Sequence, residues 1–308
     1  MRGGRGSPPP PQGTGALLIP MASASRMLPR EHGAYAQLGF PLATGLLMAP
    51  PPALSTVLLA LAAVVFFLAN EPAAILIGRR GIRLQEKDGM SARNRVRVLG
   101  GVGMGTGLAG LFLGWPGVWP EILVPGLAVA CLVPMVRAGT HKTLMGELVV
   151  ITVFSTLVPP LAASSGAKAL EAGLAAGVWW ISFVLGTLEV HAIKARAKKT
   201  PRSQWTRWAS PLAAGVALGA TLWIALGQAT PLLRILASHG MEGGVNGGGP
   251  TLVPELVRLL PGYAAALLPP ALATLVLSRL RVHPRHLKRV GWTLVMVNAL
   301  TLILLLQG

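Results

Sequence analysis

From residue 34 to the end of the chain, apolar runs the length of a membrane-crossing helix recur, separated by short polar or Pro/Gly-rich breaks. A helix needs about 20 mostly apolar residues to cross a hydrocarbon core of about 30 Å. The pattern predicts nine helices, at Ala34–Met48, Ala53–Gly78, Val96–Gly114, Pro120–Val136, Leu144–Ala163, Leu170–Ala192, Ala209–Gly227, Val257–Leu280 and Val290–Leu306. Pro261, Pro269 and Pro270 fall in the eighth and predict a kinked or broken helix there. The alternation of about ten residues that marks a closed barrel is missing. The expected fold is all-α, a polytopic transmembrane helical bundle over residues 29–308. Residues 1–28, rich in Gly, Pro and Arg with Pro8 to Pro11 consecutive, are expected to be disordered.

Composition agrees with the spans. Of 308 residues, 52% are hydrophobic and 12% charged, against roughly 25% charged in an ordinary soluble domain, and the mean hydropathy is +0.60. The net charge of +17 raises the question of nucleic acid, but the cations follow the spans. Arg2, Arg5, Arg26 and Arg30 precede the first; Arg79, Arg80, Arg83, Lys87, Arg93, Arg95 and Arg97 lie between the second and third; Arg137 and Lys142 follow the fourth. Lys194 to Arg207 and Arg279 to Arg289 mark two further basic breaks, leaving only Lys168, Arg234 and Arg258 for the other side. The positive-inside rule then puts the N-terminus in the cytoplasm and the C-terminus outside an inner membrane, which requires an odd number of spans. No nucleic acid partner is implied. The single cysteine, Cys131, falls in the fourth span and reads as a small packing residue.

Four acids change the picture. Glu31, Glu71, Glu147 and Glu189 each sit at the cytoplasmic end of a span, where an ionised carboxylate is costly without a partner. Glu31 and Glu147 open the first and fifth spans, 116 positions apart; Glu71 and Glu189 close the second and sixth, 118 apart. The near-equal offsets predict two parallel four-helix repeats with the ninth helix appended. Facing halves would bring the carboxylates together, with charge relief from a metal ion, from His32 and His191, or from the following cations.

The densest constellation is Arg30-Glu31-His32-Gly33-Ala34-Tyr35-Ala36, which also fits an interfacial anchor. Asn70-Glu71-Pro72 sets an amide and an acid before a proline that frees backbone carbonyls. Glu189 and His191, two apart, do not share a helix face and so are poor ligands for one ion. Two basic loops, Arg79 to Arg97 and Lys194 to Arg207, suit phosphate, because guanidinium pairs bidentately with its oxygens; they equally suit anionic lipid. Asn70, Arg79, Arg80, Lys194, Lys198 and Lys199 are the candidate ligand-binding residues. Glu31, His32, Glu71, Glu147 and Glu189 are the candidates for chemistry, with Glu71, Glu147 and Glu189 as metal ligands.

The segment Pro29-Arg30-Glu31-His32-Gly33-Ala34-Tyr35-Ala36 resembles the opening signature of the YwiC-like family of bacterial integral membrane proteins, and Phe67-Leu68-Ala69-Asn70-Glu71-Pro72 and Gly146-Glu147-Leu148 resemble its later landmarks. The architecture is also similar to that of the UbiA prenyltransferase superfamily. That likeness implies nine helices around a central cavity, with diphosphate sites on the second-to-third and sixth-to-seventh loops and Mg²⁺ held by aspartate-rich motifs. This chain departs from those motifs. Its one aspartate is Asp88, in the basic stretch; Ala74 and Gly78 follow Asn70 at four and eight residues, and Ile193 follows Glu189 at four. Three readings follow: a divergent enzyme binding a prenyl or lipid diphosphate, a proton-coupled transporter, or a noncatalytic protein that binds membrane lipid or a quinone-type ligand.

Overall fold

The computed structural model describes residues 32–114, 116–198, 203–225, 252–280 and 282–307. Every regular element among them is helical. Nine helices follow in chain order: α1 (His32–Leu47), α2 (Leu54–Leu76), α3 (Ile82–Leu113), α4 (Val118–Ala138), α5 (Leu144–Ser164), α6 (Ala169–Lys198), α7 (Ser203–Ala225), α8 (Leu252–Arg279) and α9 (Leu287–Gln307). Seven are long and apolar enough to cross a membrane; α1, with 16 residues, and the Trp208–Ile224 part of α7 are shorter. The chain is a polytopic helical membrane bundle, as its apolar pattern requires. The segment expected to be disordered lies outside the described residues.

Four features differ from expectation. The second basic stretch, expected as a loop from Lys194 to Arg207, is largely helical, with α6 running to Lys198 and α7 starting at Ser203. The basic stretch after α2 is not a loop: after a turn at Ile77–Gly81 the helix α3 begins at Ile82 and runs 32 residues. Arg, Gln, Glu and Lys favour helix, so charge ends the membrane span there without ending the helix. The predicted break in α8 is absent, and Pro261, Pro269 and Pro270 lie inside one continuous helix that packs against α6, α7 and α9; close neighbours hold a helix together across prolines. The break falls instead in α5, at Thr156–Leu157. Pro159 and Pro160 then occupy the first turn of the resumed helix, where no N–H is needed.

The centre of the bundle is the contact of α1 with α5 and α6. The fully buried Trp179 of α6 stacks between Phe40 of α1 and Phe183 at 5.4 and 5.5 Å. Its indole N–H donates to Thr44 Oγ1 at 2.8 Å, and that hydroxyl donates to the Phe40 carbonyl, so no polar group in the cluster is left unpaired. At the end away from the basic breaks, Thr56 shares hydrogen bonds with Ser164 and Ser165 and so ties the start of α2 to the end of α5. Lys168 reaches Glu255 there at 2.6 Å; that hydrogen bond raises the lysine's pKa.

The halves are partly alike. In both, the second helix packs on the third (α2 on α3, α6 on α7), and α1 packs against α5. Outer helices break the likeness: α7 and α8 pack closely on each other and on α6, whereas α3 rests chiefly on α2. The α2–α3 contact is close because glycines face α2. A Cβ at Gly110 would meet Leu59 Cγ at 2.8 Å and the Leu59 backbone nitrogen at 3.1 Å. Cys131, expected to be packed, is exposed on α4, which is among the least buried of the spans.

Candidate functional site

The described glutamates of the four lie near the basic end of the bundle, and each has a different partner. Pro72 continues α2 but has no N–H to give the Leu68 carbonyl four residues back. Glu71, only 4% exposed, is met by Arg80 from the following turn, whose Nη2 donates to Glu71 Oε2 at 2.6 Å. Gly78 and Gly81, at φ +74° and +96°, reverse the chain so that this guanidinium returns to the helix it left. Arg79 lies instead against Gly139, in the αL residue that ends α4. There φ is +82°, which favours glycine, and an added Cβ would stand 2.7 Å from Arg79 Nη2 and push the guanidinium aside.

Glu189 is completely buried. Arg196, two turns later on the same face of α6, donates from Nη2 at 2.7 Å, and Ser210 of α7 donates to the other carboxylate oxygen at 2.5 Å. Arg196 Nη1 continues to the Ser278 carbonyl of α8 at 3.2 Å, so one acid–cation pair links three helices. Glu147 sits in the first turn of α5, where the helix dipole favours a carboxylate, behind an N-cap in which Thr143 Oγ1 accepts from Gly146 N–H. It bonds His191 Nε2 at 2.9 Å and joins α5 to α6. Glu189 and His191 thus leave α6 on different faces, as their spacing requires.

Of the cationic and histidine partners foreseen for the acids, His191 has taken Glu147, and the arginines have taken Glu71 and Glu189. Glu31 and Lys199 lie outside the described residues, as do the side chains of His32 and Lys198. Asn70 and Lys194 are exposed on α2 and α6. Asp88, expected in a loop, is 8% exposed on α3, with Oδ2 unpaired. Ser210 and Ser278 were not legible as partners; the seven-residue spacing of Glu189 and Arg196 was the available signal.

A Mg²⁺ ion wants several oxygen ligands in octahedral array. Among the described residues no three His, Cys, Asp or Glu side chains are placed to hold one ion, and Glu71 and Glu189 already neutralise guanidinium groups. These residues do not fit a resident Mg²⁺. What the basic end offers is cationic surface. On the α2–α3 turn an open depression of about 700 Å³ is lined by Arg80, Arg83 and Lys87 together with Gly78, Gly81, Ile82 and Leu84.

Residues 28–162 match the model of a family described as YwiC-like protein. No curated protein and no solved structure matches the chain. The matched segment runs from before α1 almost to the end of α5, so it holds the α2–α3 turn and the Glu71–Arg80 pair, while Glu189 and Arg196 lie beyond it.

Proposed function

We propose that this YwiC-like membrane protein binds a phosphate-bearing lipid at the α2–α3 turn, on the cytoplasmic side, without a metal ion. The observation that carries the reading is the depression whose lining brings in Arg80, Arg83 and Lys87 from one turn and the first helical turns after it. Glu71 holds Arg80 in place while its side chain keeps 36% of its surface open. Guanidinium and ammonium groups are the strong donors for phosphate oxygens, and Gly81, with nothing within 4 Å of where a Cβ would stand, leaves room for close approach. Where the prenyltransferase likeness asks for bare carboxylates around Mg²⁺, this chain presents carboxylates already matched to arginine, and the positive charge of Arg83 and Lys87 takes the role of the ion. The reading is of binding; no catalytic step is assigned.

Removing Arg83 and Lys87 together leaves the Glu71–Arg80 pair intact and tests the site without undoing the fold. Two lost charge-assisted hydrogen bonds at about 1.5 kcal/mol each predict a weakening of at least tenfold. Titration of purified full-length protein in nanodiscs with phosphatidic acid reads this directly, with Arg285→Ala/Lys288→Ala at the α8–α9 turn removing the same charge elsewhere. Equal losses in both double variants, or none in the first, would show that only diffuse surface charge attracts the lipid.

A further inference from the structure

A second groove, of about 770 Å³, lies on the outer side of α2 and α3 and shares Lys87 with the depression. Its α3 wall is one helical stripe, Lys87, Ser91, Asn94, Arg95 and Val98, at spacings of four, seven, eight and eleven residues. Leu68 of α2 forms the facing wall. The lining carries two cations and two neutral donors and no acid; Asp88, on the neighbouring line of α3, is buried, and Glu86 is exposed outside the groove. Lys87, Met90 and Ser91 lie toward the basic end, Asn94 and Arg95 follow, and Val98, 63% exposed, and Leu99 lie toward the middle of the bundle. From Lys87 to Val98 is eleven residues, about 16 Å along the helix axis; the stretch up to Arg97 belongs to the basic end, and Val98 and Leu99 stand where the apolar part of the helix begins.

Resting on the binding site proposed above, we infer that this groove holds the rest of the ligand: an anionic glycerophospholipid of the surrounding cytoplasmic leaflet. Its phosphate sits at the turn on Arg83 and Lys87, Ser91, Asn94 and Arg95 line the way from it with hydrogen-bond donors, and an acyl chain lies between Leu68 and Val98. The lipid reaches its site sideways from the leaflet and keeps its tail in the membrane, so the centre of the bundle, filled by Trp179 and its neighbours, need not open. Charge complementarity selects an anionic headgroup, and the apolar contacts at Leu68, Val98 and Leu99 select a ligand that carries a tail over a soluble phosphate ester.

Native mass spectrometry of the full chain with equimolar phosphatidic acid and phosphatidylcholine tests this, with inorganic diphosphate binding measured in parallel. Phosphatidic acid should be retained at least tenfold over phosphatidylcholine, and Lys87→Ala/Arg95→Ala should bring the two within about twofold. Leu68→Trp, which fills the groove, should weaken phosphatidic acid about tenfold and leave inorganic diphosphate within twofold; Val98→Trp repeats the test from the opposite wall. Equal retention of both lipids by the unaltered protein would show ordinary boundary lipid and overturn the inference. If both tryptophan variants bind phosphatidic acid normally, the tail lies elsewhere: the groove inference fails and the phosphate site at the turn stands. Loss of diphosphate in both tryptophan variants contradicts a groove that serves the tail alone. Loss of diphosphate in Arg83→Ala/Lys87→Ala with normal phosphatidic acid retention would separate the groove from the turn and refute their continuity.

Discussion

Glu189→Ala is expected to cost about 3–5 kcal/mol of stability, the range for breaking a buried ion pair from one side. The carboxylate is fully buried and accepts from both Arg196 and Ser210. Without it, a guanidinium whose Nε already has no partner keeps only the Ser278 carbonyl. Desolvation makes the orphaned charge costly, more so than any attraction lost. Glu189→Gln keeps an acceptor and should lose less, and adding Arg196→Leu to Glu189→Leu should recover much of the deficit, because an apolar pair of similar volume often replaces a buried ion pair without loss. Melting of the purified variants in one detergent checks the order: alanine lowest, the double leucine variant above it. An alanine variant that melts like the parent would mean that the 24% of the Arg196 side chain open to solvent is enough to hydrate the guanidinium.

Trp179→Ala should be comparably severe, at about 3 kcal/mol. Inside a membrane, burial of apolar surface contributes little to helix association, since lipid is as apolar as a side chain, and packing carries the contact. Removing the indole leaves a cavity between Phe40 and Phe183, and large-to-small changes in packed cores cost about 3–5 kcal/mol for tryptophan. We expect the lower end because the transfer share is reduced. Trp179→Phe preserves most of the stack, and Thr44 keeps its bond to the Phe40 carbonyl, so the phenylalanine variant should lose about 1 kcal/mol. The same melts distinguish them; equal losses would assign the stability to the hydrogen bond instead of the ring.

Hydrophobic run length made the helices legible, because a membrane leaves the backbone few alternatives. It did not show where a helix ends once outside the apolar layer. Arg83 to Arg97 looked like a loop because the span predictor is apolarity, whereas the helix stops only where backbone geometry stops it, at Gly81 before and Gly114 after. The three prolines of α8 were misleading for a related reason: their effect is settled by the helices beside them, which lie far away in sequence. For the acids, the kind of partner was legible and the pairing was not. Arg80 and Arg196 are local to Glu71 and Glu189, nine and seven residues on, but Ser210, Ser278 and the His191–Glu147 contact depend on which helices touch. The burial of Asp88 had no sequence signal at all, since it follows from the extension of α3 along α2.

Metal independence of phosphate recognition at the α2–α3 turn is the claim to test most directly. Equilibrium binding of phosphatidic acid to the full chain in nanodiscs, compared in excess EDTA and in millimolar Mg²⁺, should give dissociation constants within about twofold, a difference of about 0.4 kcal/mol. Binding that vanishes in EDTA and returns with Mg²⁺ would contradict the account, because it would require a ligand set that Glu71 and Glu189, held by Arg80 and Arg196, do not supply.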